Sequence, residues 1–318
     1  KKMTVCQLYA KQIRHRGNVR YNTKNGRKRL MKLLEEDKLG GCPIDSVKLS
    51  DAKEWAIRMK EKGISYKTIS NDKRSLKAAF YTAIQDDCIR KNPFDFQLNT
   101  VIEDDTEPKV PLTPAQEESF LSFAQNDKVY QKYYDELIIL LGTGLRISEL
   151  CGLTDTDINF ENRIINVDHQ LLRSAETGYY IETPKTKSGI RQIPMSEKVY
   201  EAFNRVLKRR RGAKAVTIDG YSNFLFLNRD GYPKTATNYD GMFRGLAKKY
   251  NKYHEEALPK VMTPHTLRHT FCTNMANAGM NPKALQYIMG HSNITMTLNY
   301  YAHATFDSAK AEMLRIAA

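Results

Sequence analysis

No apolar run in this 318-residue sequence approaches the roughly 18 uncharged residues that a membrane-crossing helix needs. The opening residues, KKMTVCQLYAKQIRHRG, contain no apolar signal core. The expectation is a soluble chain that is not secreted and has no membrane partner. Cysteine is sparse as well. Cys6, Cys42, Cys88, Cys151 and Cys272 are odd in number and far apart, with no CxxC pair, which argues against a disulfide framework and a zinc ribbon. No internal repeat is visible.

What the sequence does have is positive charge, unevenly placed. Residues 1–100 hold 23 Lys/Arg against 11 Asp/Glu, so +12 of the formal net charge of +14 falls there. A field concentrated on one segment suits a polyanion, because each neutralised phosphate releases counterions. A basic surface that serves only solubility is the plain alternative. The length suits two domains, and 41% apolar residues suffice for ordinary cores.

From Thr4 to about Asn92 the periodicity is helical. TVCQLYAKQI opens on a capping threonine, SDAKEWAIRMKEKG runs from a capping Ser50 to a terminating Gly63, and Ile69, Leu76, Phe80 and Ile84 form one stripe of the next helix. The outer face of these helices is basic, through Arg27, Lys28, Arg29, Lys67, Lys73, Arg74 and Lys77, the candidate nucleic-acid contacts. The stretch NTVIEDDTEPKVPLTP, residues 99–114, is acidic, holds three prolines and lacks periodicity, so the linker is placed there. The expected division is a helical domain over 1–98, a linker over 99–111 and a second domain over 112–318.

YYDELIILLGTGLRISELCGL predicts a buried helix broken at Gly142–Gly144, followed at once by a second helix start. Between 162 and 195 the period changes to two. NRIINVDH, GYYIETPKT and IRQIPM predict three short antiparallel strands, with turns near Ser174–Gly178 and Lys187–Gly189. From Ser196 onward the pattern is helical again, except for the apolar run NFLFLNRDGYP and its Asp-Gly turn. The fold class expected is mainly α with a small antiparallel β-sheet, an α+β architecture in two domains.

The segment TPHTLRHTFCTNMA, residues 263–276, crowds two histidines and an arginine into one turn. Thr263 can cap, Pro264 suits the first helical position, and Leu267, Phe271 and Met275 recur as a buried stripe ending at Gly279. His265 and Arg268 then lie side by side near a helix N-terminus, where an anion is favoured. His265 and His269 also have the spacing of a zinc helix, but the intervening glutamate is absent and Arg268 between them would repel a cation. A structural histidine beside a surface arginine is the ordinary alternative. Three further segments change the balance: Arg146 follows two glycines at a helix start, Lys185 and Lys187 sit at a hairpin turn, and His291 follows an apolar helix, with Tyr300 and Tyr301 close behind it.

Arg-x-x-Glu-Leu, a hairpin lysine, His-x-Leu-Arg-His, Met-Gly-His-Ser and Tyr-x-His, in this order over residues 112 to 306, resemble the tyrosine recombinase (phage integrase) family. TPKTKSGIRQIP and MTLNYYAH look most like integrases of conjugative transposons and temperate phages. The resemblance implies a core-binding domain ahead of a catalytic domain. It also implies a site-specific recombinase that cuts and rejoins double-stranded DNA through a 3′-phosphotyrosyl bond and a Holliday junction, integrating or excising a mobile element, with no metal, ATP or other cofactor.

Physical need agrees with that inventory. Arg146 and Arg268 can clamp a phosphate in bidentate fashion, His265 can shuttle a proton, His291 can donate to a non-bridging oxygen, and a hairpin lysine can protonate the leaving 5′-oxygen. Lys185 is preferred for that role, with Lys187 open. Tyr301 is preferred as nucleophile because YAH reproduces Tyr-x-His, which leaves Tyr300 as a packing aromatic. His269 is expected as an accessory residue and Glu149 as the acid that holds Arg146. The amphipathic tail over 306–318, with Ala309, Met313 and Ile316 on one stripe, is expected to dock on a neighbouring protomer, giving a dimer to tetramer on DNA. DNA-bending or excision factors are further expected partners, and the bacterial cytoplasm the location. A type IB topoisomerase and a non-catalytic DNA-binding protein are the competing readings.

Overall fold

The segment LIILLG is apolar on every face, and a helix of that kind is stable only when surrounded. In the computed structural model, which describes residues 2–17, 19–184, 186–210, 215–301, 310 and 312–315, it is the centre of the larger of two units. The chain divides into Lys1–Pro108 and Lys109–Ala318.

The first unit is helical: α1 (Val5–His15), α2 (Tyr21–Glu35), α3 (Leu49–Glu61) and α4 (Tyr66–Gln85). Thr4 caps α1, its hydroxyl accepting from Gln7 N–H at 3.3 Å while the Gln7 side chain accepts from Thr4 N–H at 2.9 Å. The start expected at Ser50 lies inside α3. Lys48 is the cap there, its backbone N–H donating to Asp51 at 2.8 Å. Trp55, Phe80 and Phe94, all fully buried, form the aromatic centre, with ring centroids 5.8 and 5.4 Å from Phe94. Val101 and Ile102, inside the segment expected as linker, join this core, residues 103–108 are exposed, and the two units divide after Pro108.

In the second unit α6 (Tyr134–Thr143) packs against α5 (Pro114–Asn126), α8 (Glu197–Arg210) and α10 (Pro264–Asn277). The short α7 (Ile147–Gly152) follows α6 after a sharp reversal, and α9 (Ala236–Tyr253), α11 (Pro282–Met289) and α12 (Thr295–Leu298) complete the helical part. The β region holds β1 (Ile158–Asn159), β2 (Ile164–Val167), β3 (Gln170–Ser174), β4 (Gly178–Glu182) and β5 (Arg191–Pro194). Here the strand expectation needs correcting. The strands do not form one three-stranded set: β1-β2-β5 is one antiparallel sheet, and β3-β4 is a separate hairpin. Gln170–Ser174 alternates too weakly to announce itself, and it is a strand because β4 supplies its ladder. Thr263 and Pro264 open α10 as expected, and Leu267 and Phe271 are buried on its inner stripe. No helix among the described residues is long and apolar enough to cross a membrane.

Candidate active site

The last carbonyls of a helix lack intrahelical partners and carry partial negative charge. At the end of α11 three such carbonyls in succession are met by three arginines from three other elements. Ile288 O accepts from Arg191 Nε at 2.5 Å, Met289 O from Arg268 Nη2 at 2.5 Å and Gly290 O from Arg146 Nη2 at 3.1 Å. His291 is the next residue. Gly290 is left-handed, with φ +61°, and a Cβ there would stand 3.0 Å from Ser188 O and 3.1 Å from Arg191 Nη1, so the turn admits only glycine without displacement.

Arg146 is the N-cap of α7 and Arg268 lies in the first half of α10. The glycine-rich bend between α6 and α7 joins them, since Gly144 O accepts from Arg268 Nη1 at 2.5 Å. Gly144 has φ +64°, and a Cβ would lie 2.4 Å from the Phe271 ring, so this bend also requires glycine. Glu149 balances the cations. Its Oε1 accepts from Arg146 Nη1 at 2.7 Å and Arg191 Nη1 at 3.1 Å, and its Oε2 from Arg146 N–H at 2.8 Å and Arg191 Nη2 at 2.9 Å. Burial alone would raise this carboxyl, but the bonds from Arg191 and the charges of Arg191, Arg146 and Arg268 hold it at about 2. Arg268 is itself lowered to about 9, by burial and then by the neighbouring Arg146 charge. Three guanidinium groups, those of Arg191 and Arg268 buried and that of Arg146 partly exposed, against one carboxylate leave unspent positive charge. Each of Arg146 and Arg268 uses two N–H groups on the protein, and a guanidinium has five, so both retain donors for an anion.

Both histidines sense this field. His291 is 5% exposed, and burial followed by Arg268 and Arg146 lowers it to about 4. Its Nδ1 lies 2.9 Å from Thr297 Oγ1. His265 is lowered to about 4 by partial burial, then by Lys109, Arg268, His269 and Arg146; part of the residue is open to solvent, which screens the neighbouring charges without reversing the shift. His269 lies on the same helix, with Nε2 on Lys109 O at 2.9 Å, so the nitrogen a zinc helix would use is taken. Among the described residues the one close group of three possible metal ligands, Asp157, Asp168 and His169, lies elsewhere. There the His169 nitrogens are engaged by Asp168 at 2.5 Å and Gly152 O at 2.7 Å.

The two tyrosines differ. Tyr301, the expected nucleophile, donates its hydroxyl to Met280 O at 2.5 Å. Tyr300, expected as packing, lies edge-on to His269 with ring centroids 4.9 Å apart, and its hydroxyl is close enough to the Cys272 thiol for each to affect the other's ionisation. Burial and Cys272 raise Tyr300 to about 12, while Arg268 opposes that rise. Arg268 has no such influence on Tyr301. Lys187 is exposed in a 3-10 turn at Lys187–Gly189. Lys185 and the tail residues 302–309, 311 and 316–318 lie outside the described residues, so the expected docking of the tail does as well. Sequence reasoning passed over Arg191, Thr297 and Cys272. For Arg191 a signal existed: alternation puts it on the inward face of its strand with Ile193, where a charged residue needs a reason.

In the first unit the basic residues are not equally available. Arg29 pairs with buried Asp72 at 2.5 Å, Lys77 with Asp95 at 2.5 Å, and Lys73 lies 4.5 Å over the Phe96 ring. Arg27 has one guanidinium nitrogen buried without a partner. Lys28, Lys67 and Arg74 face solvent, and Lys67 and Arg74, seven residues apart on α4, share a face.

A mainly helical domain that gathers paired arginines, neutral histidines and a tyrosine in one region is that of a tyrosine-type DNA recombinase. The chain belongs to the phage integrase family, whose model matches residues 111–308. The transposase of transposon Tn916 from Enterococcus faecalis is 69% identical over 316 residues, covering 99% of this chain and 78% of the relative. A solved structure of the Tn1549 transposon integrase in complex with circular-intermediate DNA is 78% identical, with a TM-score of 0.94, covering 99% of this chain and all of that one. A lambda integrase dimer bound to a core site shares the fold at 16% identity, with a TM-score of 0.63 over 93% of this chain and 94% of that one.

Proposed function

We propose that this integrase cuts and rejoins DNA at the ends of a mobile element, through a 3′-phosphotyrosyl intermediate and a Holliday junction. The observation that carries the reading is the end of α11, which draws Arg146 and Arg268 onto adjacent carbonyls beside His291. The spare N–H groups of both arginines face the scissile phosphate and stabilise charge that grows as the bond breaks. With Nδ1 accepting from Thr297, the neutral His291 carries its proton on Nε2 and donates to a non-bridging oxygen. His265, neutral at pH 7, takes the proton of the attacking phenol. The phenolic oxygen bonds to phosphorus and the P–O5′ bond breaks. Its electron pair leaves on the 5′-oxygen, which takes a proton from a hairpin lysine, Lys185 or Lys187. The protein–DNA ester conserves the linkage for rejoining.

The nucleophile in this reading is Tyr300, in place of Tyr301. Two observations support it. Tyr300 is the tyrosine that feels Arg268, whereas the Tyr301 hydroxyl is spent on Met280 O. In addition, solved forms of the Tn1549 integrase carry an arginine-to-lysine and a tyrosine-to-phenylalanine substitution at its positions 225 and 379. Those positions are 154 apart, the separation of Arg146 from Tyr300.

Residues 1–102 act as the core-binding domain, since Ile102 belongs to its core, with 103–111, exposed as far as Val110, as the linker and 112–318 as the catalytic domain. Lys67 and Arg74 supply phosphate contacts, with Arg27, Lys28, Arg29, Lys73 and Lys77 adding to the field. The Tn1549 integrase has been solved on circular-intermediate and transposon right-end DNA, which supports element ends as the substrate. The protein works in the bacterial cytoplasm as a dimer to tetramer on DNA, its tail from about residue 306 docking on a neighbour, alongside DNA-bending or excision factors. The deciding experiment offers a nicked suicide substrate in EDTA and maps the trapped peptide. A covalent adduct on Tyr300 is expected; an adduct on Tyr301 reverses the choice of nucleophile, and no adduct reduces the chain to a DNA-binding protein.

A further inference from the structure

Arg191 opens β5, two residues after the turn Lys187–Gly189 that carries Lys187 and follows Lys185 in the sequence. Its side chain has no exposure to solvent, so it cannot touch DNA. It nevertheless makes four hydrogen bonds to three separate parts of the site: Nε to Ile288 O at 2.5 Å, Nη1 to Gly189 O and to Glu149 Oε1, both at 3.1 Å, and Nη2 to Glu149 Oε2 at 2.9 Å. Gly189 belongs to the lysine-bearing turn, Glu149 holds Arg146, and Ile288 immediately precedes the carbonyl that holds Arg268. A Cβ added at Gly290 would crowd both Ser188 O and Arg191 Nη1, which puts that turn, the arginine and the end of α11 in mutual contact.

Burying a guanidinium is unfavourable unless it is fully bonded. An apolar residue at this inward strand position would fill the space without that burden. A planar fork of donors is the side chain that can address a carboxylate and two backbone carbonyls in different directions, which the point charge of lysine does not reproduce. We propose that Arg191 is a positioning residue for leaving-group protonation: it locks the lysine-bearing turn to the arginine site, so that the ammonium group meets the 5′-oxygen. The proposal rests on the reading that a hairpin lysine is the general acid. In the step served, the P–O5′ bond breaks and the oxygen takes its proton from the lysine.

The test compares two suicide substrates, one with the ordinary 5′-oxygen at the scissile bond and one with sulfur bridging at that position. A thiol has a pKa of about 8.5, far below an alcohol, so a sulfur leaving group departs without a proton donor. Arg191→Lys should cut the oxygen substrate at least about 100-fold more slowly, the lower end of a general-acid contribution. It should cut the sulfur substrate within about fivefold of the parent, because the lost step is then bypassed. Arg146→Lys, which weakens the phosphate clamp, should be slow on both. Thermal melting and DNA binding establish that each variant is folded, and Arg191→Gln replaces the lysine variant if that one does not fold. Equal slowing on both substrates by a folded Arg191 variant overturns the proposal, as does unchanged cutting of both. The same pair of substrates with Lys185→Ala and Lys187→Ala separates the underlying reading. No sulfur rescue in either lysine variant removes the lysine acid itself, whereas rescue there but not in Arg191→Lys removes only the role given to Arg191.

Discussion

Glu149 holds Arg146 at both ends of the residue, accepting from its backbone N–H at 2.8 Å and from its guanidinium at 2.7 Å. One carboxylate thereby sets the start of α7 and aims the side chain that the helix presents. The same carboxylate neutralises buried Arg191. Removing one partner of a buried ion pair costs about 3–5 kcal/mol, so Glu149→Gln should lower unfolding stability by about 3 kcal/mol and abolish cleavage. Urea denaturation measures the first and a cleavage gel the second. A stability change under about 1 kcal/mol would mean that the amide serves equally well.

The same carboxyl predicts acid sensitivity. Its folded pKa, about 2, lies below the ordinary 4.5, so the unfolded chain binds the proton more readily. The stabilisation is fully present above about pH 4.5 and is lost as the pH falls toward 2. Denaturation midpoints followed across that window should drop in the parent and drop less in Glu149→Gln. Parallel slopes would assign the acid loss to other groups.

His265 and His291 should both titrate near pH 4 in the DNA-free protein. A histidine lowered in this way detracts from stability as the pH falls from about 6.5 toward 4, where the unfolded state takes up protons first. A bound phosphate has the opposite sign to the arginines and should move both rings upward. Imidazole resonances followed by NMR with and without duplex check this, and an unmoved His291 would place the phosphate away from it.

Tyr300→Phe should eliminate the covalent adduct while leaving DNA binding intact. Tyr301→Phe loses a hydrogen bond to Met280 O, which is worth about 1 kcal/mol, and should retain cleavage. Adduct yield and melting temperature distinguish the two variants.

On the first unit, Lys67→Ala and Arg74→Ala should each weaken binding about equally across DNA sequences and reduce the slope of log affinity against log salt by about 1. Arg29→Ala should also destabilise its domain, because it uncovers buried Asp72. Fluorescence anisotropy over a salt series, with a melt of each variant, makes the comparison.

The helices of both units were legible because burial of one face imposes a period that survives in the residue order, as in Leu267 and Phe271 on α10. The break at Gly144 was equally legible, since a left-handed bend against the Phe271 ring admits little else. Residues 170–174 were not, because a strand with weak alternation depends on its neighbour. The choice between Tyr300 and Tyr301 was also hidden. Both lie in a 3-10 turn, where successive side chains diverge by about 120°, so a spacing of nine or ten residues does not say which phenol faces the arginines.

By itself, the residue order determined which reactive groups exist, the helices and turns that carry them, and the concentration of positive charge in the first hundred residues. Only the tertiary structure decided how those groups meet. Arg146 and the carbonyl it grips are 144 residues apart in the chain, and three arginines share one helix end because folding leaves those carbonyls unbonded. Local patterns record what a residue needs on its own element. Its partners on other elements appear only once the chain has closed on itself.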